Sequence, residues 1–312
     1  MRLVFMGTPD FAVPSLKRIY DDGHDVAAVL TQPDKPSRRG MKMSFSPVKE
    51  LALERGTPVY QPASLKDGDI TAVLHELKCQ LIAVVAYGKL LTREMLELPP
   101  LGCINIHGSL LPKYRGAAPI QWAIINGERE TGVTSMYMAE KLDAGDVLLT
   151  KKTPIGGDET AGDLFERLGE MGAGLLSETI DAIICGNAAP KPQDDNSATF
   201  APPLVREMSP IDWNNTAFNI KCKVRGLNPW PVASAEWGGT VYKIFSVDIG
   251  DTALSSQKKP GEILSAGSGG LEVACSDGTV KIRELQAPGG RRMPAADYLR
   301  GHSIPSAPKN IQ

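Results

Sequence analysis

The chain has 312 residues, with 34 Lys and Arg against 36 Asp and Glu, five Cys and four His. At this length two domains are expected, and a formal charge of −2 does not mark a protein that works by bulk charge. Scattered cysteines without a Cys-x-x-Cys pair argue against a disulfide framework or structural zinc, and no apolar run is long enough to span a bilayer, so a soluble cytoplasmic protein without a membrane partner is expected.

The first half alternates strand and helix signals. Residues 2–6 read as a buried strand, and 11–20 as a helix with Asp10 in the N-cap position. A second strand is expected at 26–31, then a helix at 47–55 that begins on a proline. A short strand at 59–61, a helix at 70–78 and a third apolar strand at 81–86 follow. The next strand runs through 103–107, with a helix at 119–126, strands at 134–138 and 146–150, and a long helical region at 161–185. Continuous apolar strands alternating with helices predict an α/β fold, a Rossmann-like and mostly parallel sheet with helices on both faces.

Residues 186–207 turn polar and proline-containing, as a linker does. The expected division is a catalytic domain at 1–189, a linker at 190–206 and a second domain at 207–312. In the second domain a helix at 217–224 precedes five short strands at 233–237, 241–247, 261–265, 271–274 and 279–285, which predict a small β-barrel. Residues 203–312 carry 13 Lys and Arg against 10 Asp and Glu, while the rest carries 21 against 26. The slight positive excess fits an anionic partner, but an excess this small favours a solvated mixed surface.

The strand at 103–107 holds the sharpest chemical signal. Asn105 and His107 are two apart and share a face. Asn brings a neutral donor and His a proton that moves near neutral pH. The strand breaks at Gly108, where a turn can lead toward a ligand. Farther along, Asp143 stands in Leu142-Asp143-Ala144-Gly145-Asp146, a loop from which a carboxylate can reach back to an imidazole. The three groups together suit oxyanion stabilisation with one proton moved, the need of acyl transfer. Cys103 lies roughly 13 Å along the strand from His107 and reads as a buried apolar residue, not a nucleophile.

Gly7-Thr8-Pro9-Asp10 has one glycine where a dinucleotide fingerprint has three, and no Walker A sequence occurs, so no bound nucleotide is expected. Val84-Val85-Ala86-Tyr87-Gly88 ends a strand at the carboxyl edge of the predicted sheet, the usual ligand edge of open α/β folds. The stretch 35–43 is basic and free of acids.

Asn105-Ile106-His107-Gly108-Ser109-Leu110-Leu111-Pro112, followed by Tyr114-Arg115-Gly116-Ala117-Ala118-Pro119-Ile120-Gln121, resembles the signature of the formyltransferase family that uses 10-formyltetrahydrofolate. Phe5-Met6-Gly7-Thr8-Pro9-Asp10-Phe11, Thr31-Gln32-Pro33-Asp34-Lys35 and Gly226-Leu227-Asn228-Pro229-Trp230-Pro231 are similar to the branch of that family acting on methionyl-tRNA. The resemblance implies an OB-like barrel for the second domain and catalytic roles for Asn105, His107 and Asp143. It assigns Ser109, Leu110, Leu111 and Pro112, with Val84, Ala86, Tyr87 and Gly88, to the folate donor. Lys35, Arg38, Arg39 and Lys42 would enter the acceptor stem of a tRNA, Arg39 matching the family's key arginine. Lys221, Lys223, Arg225, Arg291 and Arg292 would meet its phosphates. The implied substrates are 10-formyltetrahydrofolate as formyl donor and initiator methionyl-tRNA as acceptor, used by a monomer without metal or nucleotide. Three other readings are a glycinamide ribonucleotide formyltransferase, which would need a glycine-rich phosphate loop, a sugar-nucleotide formyltransferase, which has no need of the basic loop, and a non-catalytic RNA-binding module, which leaves Asn105 and His107 unexplained.

Overall fold

The structure, a computed structural model, describes residues 1–36, 43–251 and 259–305. The chain divides into two units. The first comprises residues 1–119, 130–154 and 165–202; the second comprises 120–129, 155–164 and 203–312. Thus two short excursions from the N-terminal half join the second unit.

In order, the first half forms β1 (Arg2–Gly7), α1 (Val13–Asp21), β2 (Asp25–Leu30), β3 (Lys35–Pro36), β4 (Met43–Ser44), α2 (Pro47–Glu54), β5 (Val59–Tyr60), α3 (Asp69–Leu77) and β6 (Leu81–Val85). Then come α4 (Arg93–Glu97), β7 (Cys103–His107), β8 (Arg115–Gly116), α5 (Pro119–Ile125), β9 (Glu130–Tyr137), β10 (Val147–Pro154), α6 (Ala161–Ile184) and β11 (Phe200–Ala201). Among the described residues seven strands form one sheet in the order β10-β9-β7-β6-β1-β2-β5. The pairings from β7 to β5 are parallel, and β9 is antiparallel to both its neighbours. The carboxyl ends of β1, β2, β5, β6 and β7 therefore share one edge.

Period-two alternation sorts the strand side chains onto two covered faces. One face carries Val4, Met6, Ile82, Val84 and Cys103, packed with Ile70 and Leu74 of α3 and Met95 of α4. The other face meets α6, where Thr179 Oγ1 lies 2.8 Å from Ser135 Oγ of β9, the residue paired with Ile106. Asn105 and His107 thus look away from α6, on the face shared with Cys103.

Two expectations change in detail. Asp10 does not cap a helix through its side chain: it opens a 3-10 turn over Asp10–Ala12, which hands over to α1 at Val13. The β9 strand begins at Glu130, because residues 130–133 find partners along β10 that periodicity in β9 alone does not reveal. Residues read as linker also pair: Lys191 bridges Val147, and β11 runs parallel to β8.

The second unit contains α7 (Ala217–Gly226), β12 (Ala233–Trp237), β13 (Thr240–Ile249), β14 (Ile263–Gly267), β15 (Gly270–Cys275), β16 (Gly278–Gln286), β17 (Met293–Pro294) and α8 (Ala295–Leu299). Its sheet is antiparallel, in the order β12-β13-β16-β15-β14, with β17 added on β16. Register shifts around Ser246 let β13 curl from β12 to β16, as strands of small barrels do. The sheet closes on Ile220, Val224, Trp237, Ile244, Val273, Ile282 and Leu285, all buried.

Candidate active site

The site grows from β7. Asn105 stands opposite Val84 of β6 and Met136 of β9. Its Nδ2 donates to the Val84 carbonyl at 3.0 Å, which fixes the orientation of the amide. Nδ2 has a second hydrogen, and the buried Oδ1 has no hydrogen-bond partner among the described residues. A buried amide oxygen without a protein partner is costly unless water or a ligand meets it.

His107, two residues on and buried where Asn105 is half-buried, places Nε2 2.8 Å from the Tyr114 carbonyl. A carbonyl only accepts, so Nε2 carries the hydrogen of that bond and Nδ1 is the nitrogen left for chemistry. Nδ1 lies 3.7 Å from Asp143 Oδ2. The β9–β10 connection leaves the sheet at Tyr137, beside Ile104, and folds back over the Asn105 face to bring this carboxylate to His107. Asp143 adopts a left-handed backbone with φ of 48°, a conformation that Asp tolerates better than most residues. Gly145 makes the fold-back possible, because a Cβ there would overlap the Tyr137 carbonyl. The Gly116 amide donates to Asp143 Oδ2 at 2.8 Å. Gly116 itself has φ of 123°, and a Cβ would come 2.6 Å from the Ala201 carbonyl oxygen.

The structure therefore brings Asn105, His107 and Asp143 together: one carboxylate, one imidazole and one amide with unused polar capacity on a single face. A reaction that develops negative charge on oxygen and moves a proton suits that set. Sequence profiles point the same way. The profile described as "Formyl transferase" matches residues 1–180, and that described as "Formyl transferase, C-terminal domain" matches residues 203–303.

The chain belongs to the formyl transferase family.

Among the similar relatives, the methionyl-tRNA formyltransferase of Caldanaerobacter subterraneus subsp. tengcongensis is 49% identical over 306 residues, covering 98% of each chain. That of Pelotomaculum thermopropionicum is 48% identical over 305 residues, covering 98% of this chain and 97% of its own. A solved structure of WlaRD, a sugar 3N-formyl transferase in the presence of dTDP and 5-N-formyl-THF, superposes with a TM-score of 0.67 at 19% identity, over 92% of this chain and 97% of that one. That likeness shows the shared fold.

Within this family member, the residues expected at the donor site differ in exposure. Ser109 is fully buried and donates to the Lys113 carbonyl at 2.6 Å, while its own carbonyl accepts from Thr134 Oγ1 at 2.7 Å, so it shapes the turn. Leu110, Leu111 and Pro112 are half-buried. Val84 and Tyr87 are buried, and Ala86 and Gly88, both at positive φ, are exposed at the strand end. The Val84 carbonyl is taken by Asn105 and the Tyr87 carbonyl by Gln32 Nε2 at 2.9 Å. The Tyr87 hydroxyl is buried without a partner among the described residues, and burial pushes its pKa up to about 12. Burial likewise pushes the Cys103 thiol up to about 12, as a structural cysteine requires.

Three contributors escape sequence reasoning. Arg115, buried, pairs with Asp195 at 2.8 Å and with Gln193. Gln193 donates to the backbone of the Asp143 loop. Thr199 holds the amides of Tyr114 and Arg115 through its hydroxyl and carbonyl. Arg115 sits within the motif, but Gln193 and Thr199 lie in a polar stretch with no periodic signal.

Of the basic residues, Arg38, Arg39 and Lys42 lie outside the described residues, and Lys35 is in the two-residue strand β3. The α7 cations are engaged within their own unit. Lys221 pairs with Asp158 at 2.5 Å. Lys223 donates to the Pro210 carbonyl at 2.6 Å, and burial lowers its pKa. Arg225 Nη1 donates to the Gly156 and Glu159 carbonyls, and its Nε is buried without a partner among the described residues. Arg292 pairs with Glu284 and lies over the Phe245 ring, 4.7 Å from its centroid. Arg291 is exposed.

Proposed function

We propose that this chain transfers the formyl group of 10-formyltetrahydrofolate to the α-amine of methionyl initiator tRNA, giving N-formylmethionyl-tRNA for translation initiation. Near-complete coverage at 45–49% identity of relatives named methionyl-tRNA formyltransferase supports the acceptor. The observation that carries the chemistry is the amide of Asn105, buried beside His107 with Oδ1 unpartnered and one Nδ2 hydrogen unused.

The amine nitrogen attacks the formyl carbon, and a C–N bond forms. Charge gathers on the formyl oxygen, where the second Nδ2 hydrogen of Asn105 and a protonated His107 stabilise it. Each such donor contributes roughly 2.7–4 kcal/mol in related chemistry. Asn105 Oδ1 accepts an N–H of the incoming amine. The C–N10 bond then breaks, and N10 takes up the proton that the amine loses, with Asp143 holding His107 in place for the transfer. No covalent enzyme intermediate is required.

The donor rests at the carboxyl edge of the sheet, against Leu110, Leu111 and Pro112 and the exposed turn at Ala86 and Gly88. Residues 1–119, 130–154 and 165–202 form the catalytic unit, and the second unit adds tRNA affinity, with the basic loop at 35–43 reading the acceptor end. The protein works as a monomer in the cytoplasm; no helix among the described residues is long and apolar enough to cross a membrane. Incubation with 10-formyltetrahydrofolate and, in parallel, methionyl initiator tRNA, an amino-sugar nucleotide and glycinamide ribonucleotide tests the reading. Formyl transfer to methionyl-tRNA alone is expected; transfer only to one of the other amines would reject it.

A further inference from the structure

The stretch between the two profile matches, residues 181–202, carries part of the site. We propose that Gln193 is the positioning residue for Asp143, and through it for the His107–Asp143 pair; the inference rests on the formyl transfer proposed above.

The Gln193 amide uses its full hydrogen-bonding capacity in one place. Nε2 donates to the Asp143 carbonyl at 2.9 Å and to the Gly145 carbonyl at 2.7 Å. Oε1 accepts from Arg115 Nε at 3.1 Å and Nη2 at 2.8 Å. The reversed amide would set its oxygen against two carbonyls, so the orientation is fixed by chemistry. Arg115 is buried and anchored on its other side by Asp195.

These bonds close a ring around Asp143. Gln193 holds its backbone, Arg115 holds Gln193, and the next residue, Gly116, holds the Asp143 carboxylate through its amide at 2.8 Å. The residue before, Tyr114, accepts the His107 Nε2 hydrogen. One tripeptide therefore references both members of the pair, and Gln193 ties the loop bearing Asp143 to it. The loop needs such a tie: residues 139–142 are exposed, and Asp143 sits in a left-handed conformation. Reacting groups misplaced by about 1 Å lose on the order of a hundredfold in rate, so a side chain that touches no substrate can still govern turnover.

The test uses the full chain with Gln193→Ala and Gln193→Glu. The glutamate keeps the bulk and the bond to Arg115, but turns a donor into an acceptor against two carbonyls. Both variants should lose tenfold or more in kcat, with KM for donor and methionyl-tRNA within threefold of the parent. In an Asp143→Ala background the Gln193→Ala loss should shrink below twofold, because the residue acts through Asp143. The His107 ring resonances, assigned by their disappearance in His107→Ala, should move in Gln193→Ala without any substrate present. A kcat within twofold in both variants, an equal fold loss in the Asp143→Ala background, or an unmoved His107 resonance each overturns the proposal. The NMR arm reads the pair directly, so it decides the role of Gln193 even if the parent formylates a different amine, a result that would overturn only the acceptor assignment. If Gln193→Ala fails to fold, Gln193→Glu supplies the same readouts.

Discussion

Two polar neighbourhoods of this chain differ in what they leave unused. On β7, Asn105 keeps Oδ1 and one Nδ2 hydrogen free in a buried setting, and His107 keeps Nδ1 facing a carboxylate. Along α7, Lys221 and Lys223 direct their charge into a carboxylate and a carbonyl of their own unit. A group whose partners are all supplied by the fold stabilises the fold, whereas unused polar capacity beside an imidazole and a carboxylate is available to a reacting group. The contrast separates residues expected to do chemistry from residues that matched a functional pattern but also serve as struts.

The largest break in that contrast comes from β7. Asn105→Ala and His107→Ala should each lower kcat/KM by about a hundredfold to a thousandfold. The double variant should lose less than the product of the two, since the groups act as a unit. Steady-state formylation rates, with circular dichroism to confirm folding, provide the check. The next effect concerns the loop that carries Asp143. Gly145→Ala forces a Cβ into the Tyr137 carbonyl, so stability should fall by about 1–3 kcal/mol in urea titration and turnover by tenfold or more.

Smaller effects belong to the basic residues. Arg39→Ala should raise the KM for methionyl-tRNA about tenfold and leave that for the donor unchanged, since a guanidinium pairs with a phosphate or base edge in a bidentate way. Varying the two substrates separately distinguishes this from a role at the donor. The smallest expected difference sharpens the α7 comparison. Lys221, already paired with Asp158, should give no change in the salt dependence of tRNA binding when replaced by Ala. The exposed Arg291→Ala should reduce the slope by about 0.9, one phosphate contact. Equal slopes for both variants would erase the distinction.

What was legible in the sequence follows from the range of the forces involved. The β7 pair was legible because strand alternation alone puts Asn105 and His107 on one face, and the apolar residues around them mark the strand as buried. The alternating order of strands and helices likewise foretold a parallel sheet. Asp143 required the family motif, because nothing in its neighbours encodes a loop that doubles back over the sheet from Tyr137. Gln193 is invisible in the sequence: its shortest bonds go to two backbone carbonyls and an arginine 78 residues away, and backbone acceptors leave no residue pattern. The composition of 186–207 suggested a linker, and polar composition says nothing about polar side chains that fasten onto a site. Asp10 has the local chemistry of a cap, yet the turn begins one residue earlier, with Pro9 in the cap position.

The proposed role of the β7 polar groups in formyl transfer to methionyl-tRNA is open to direct measurement. The most direct measurement supplies 10-formyltetrahydrofolate labelled in the formyl carbon and follows label reaching the α-amine of methionyl initiator tRNA, for the parent chain and for His107→Ala side by side. Rapid label transfer by the parent, with the variant at least a hundredfold slower at saturating substrates, is the predicted result. A parent that transfers no label, or a His107→Ala variant that matches it, would contradict the account.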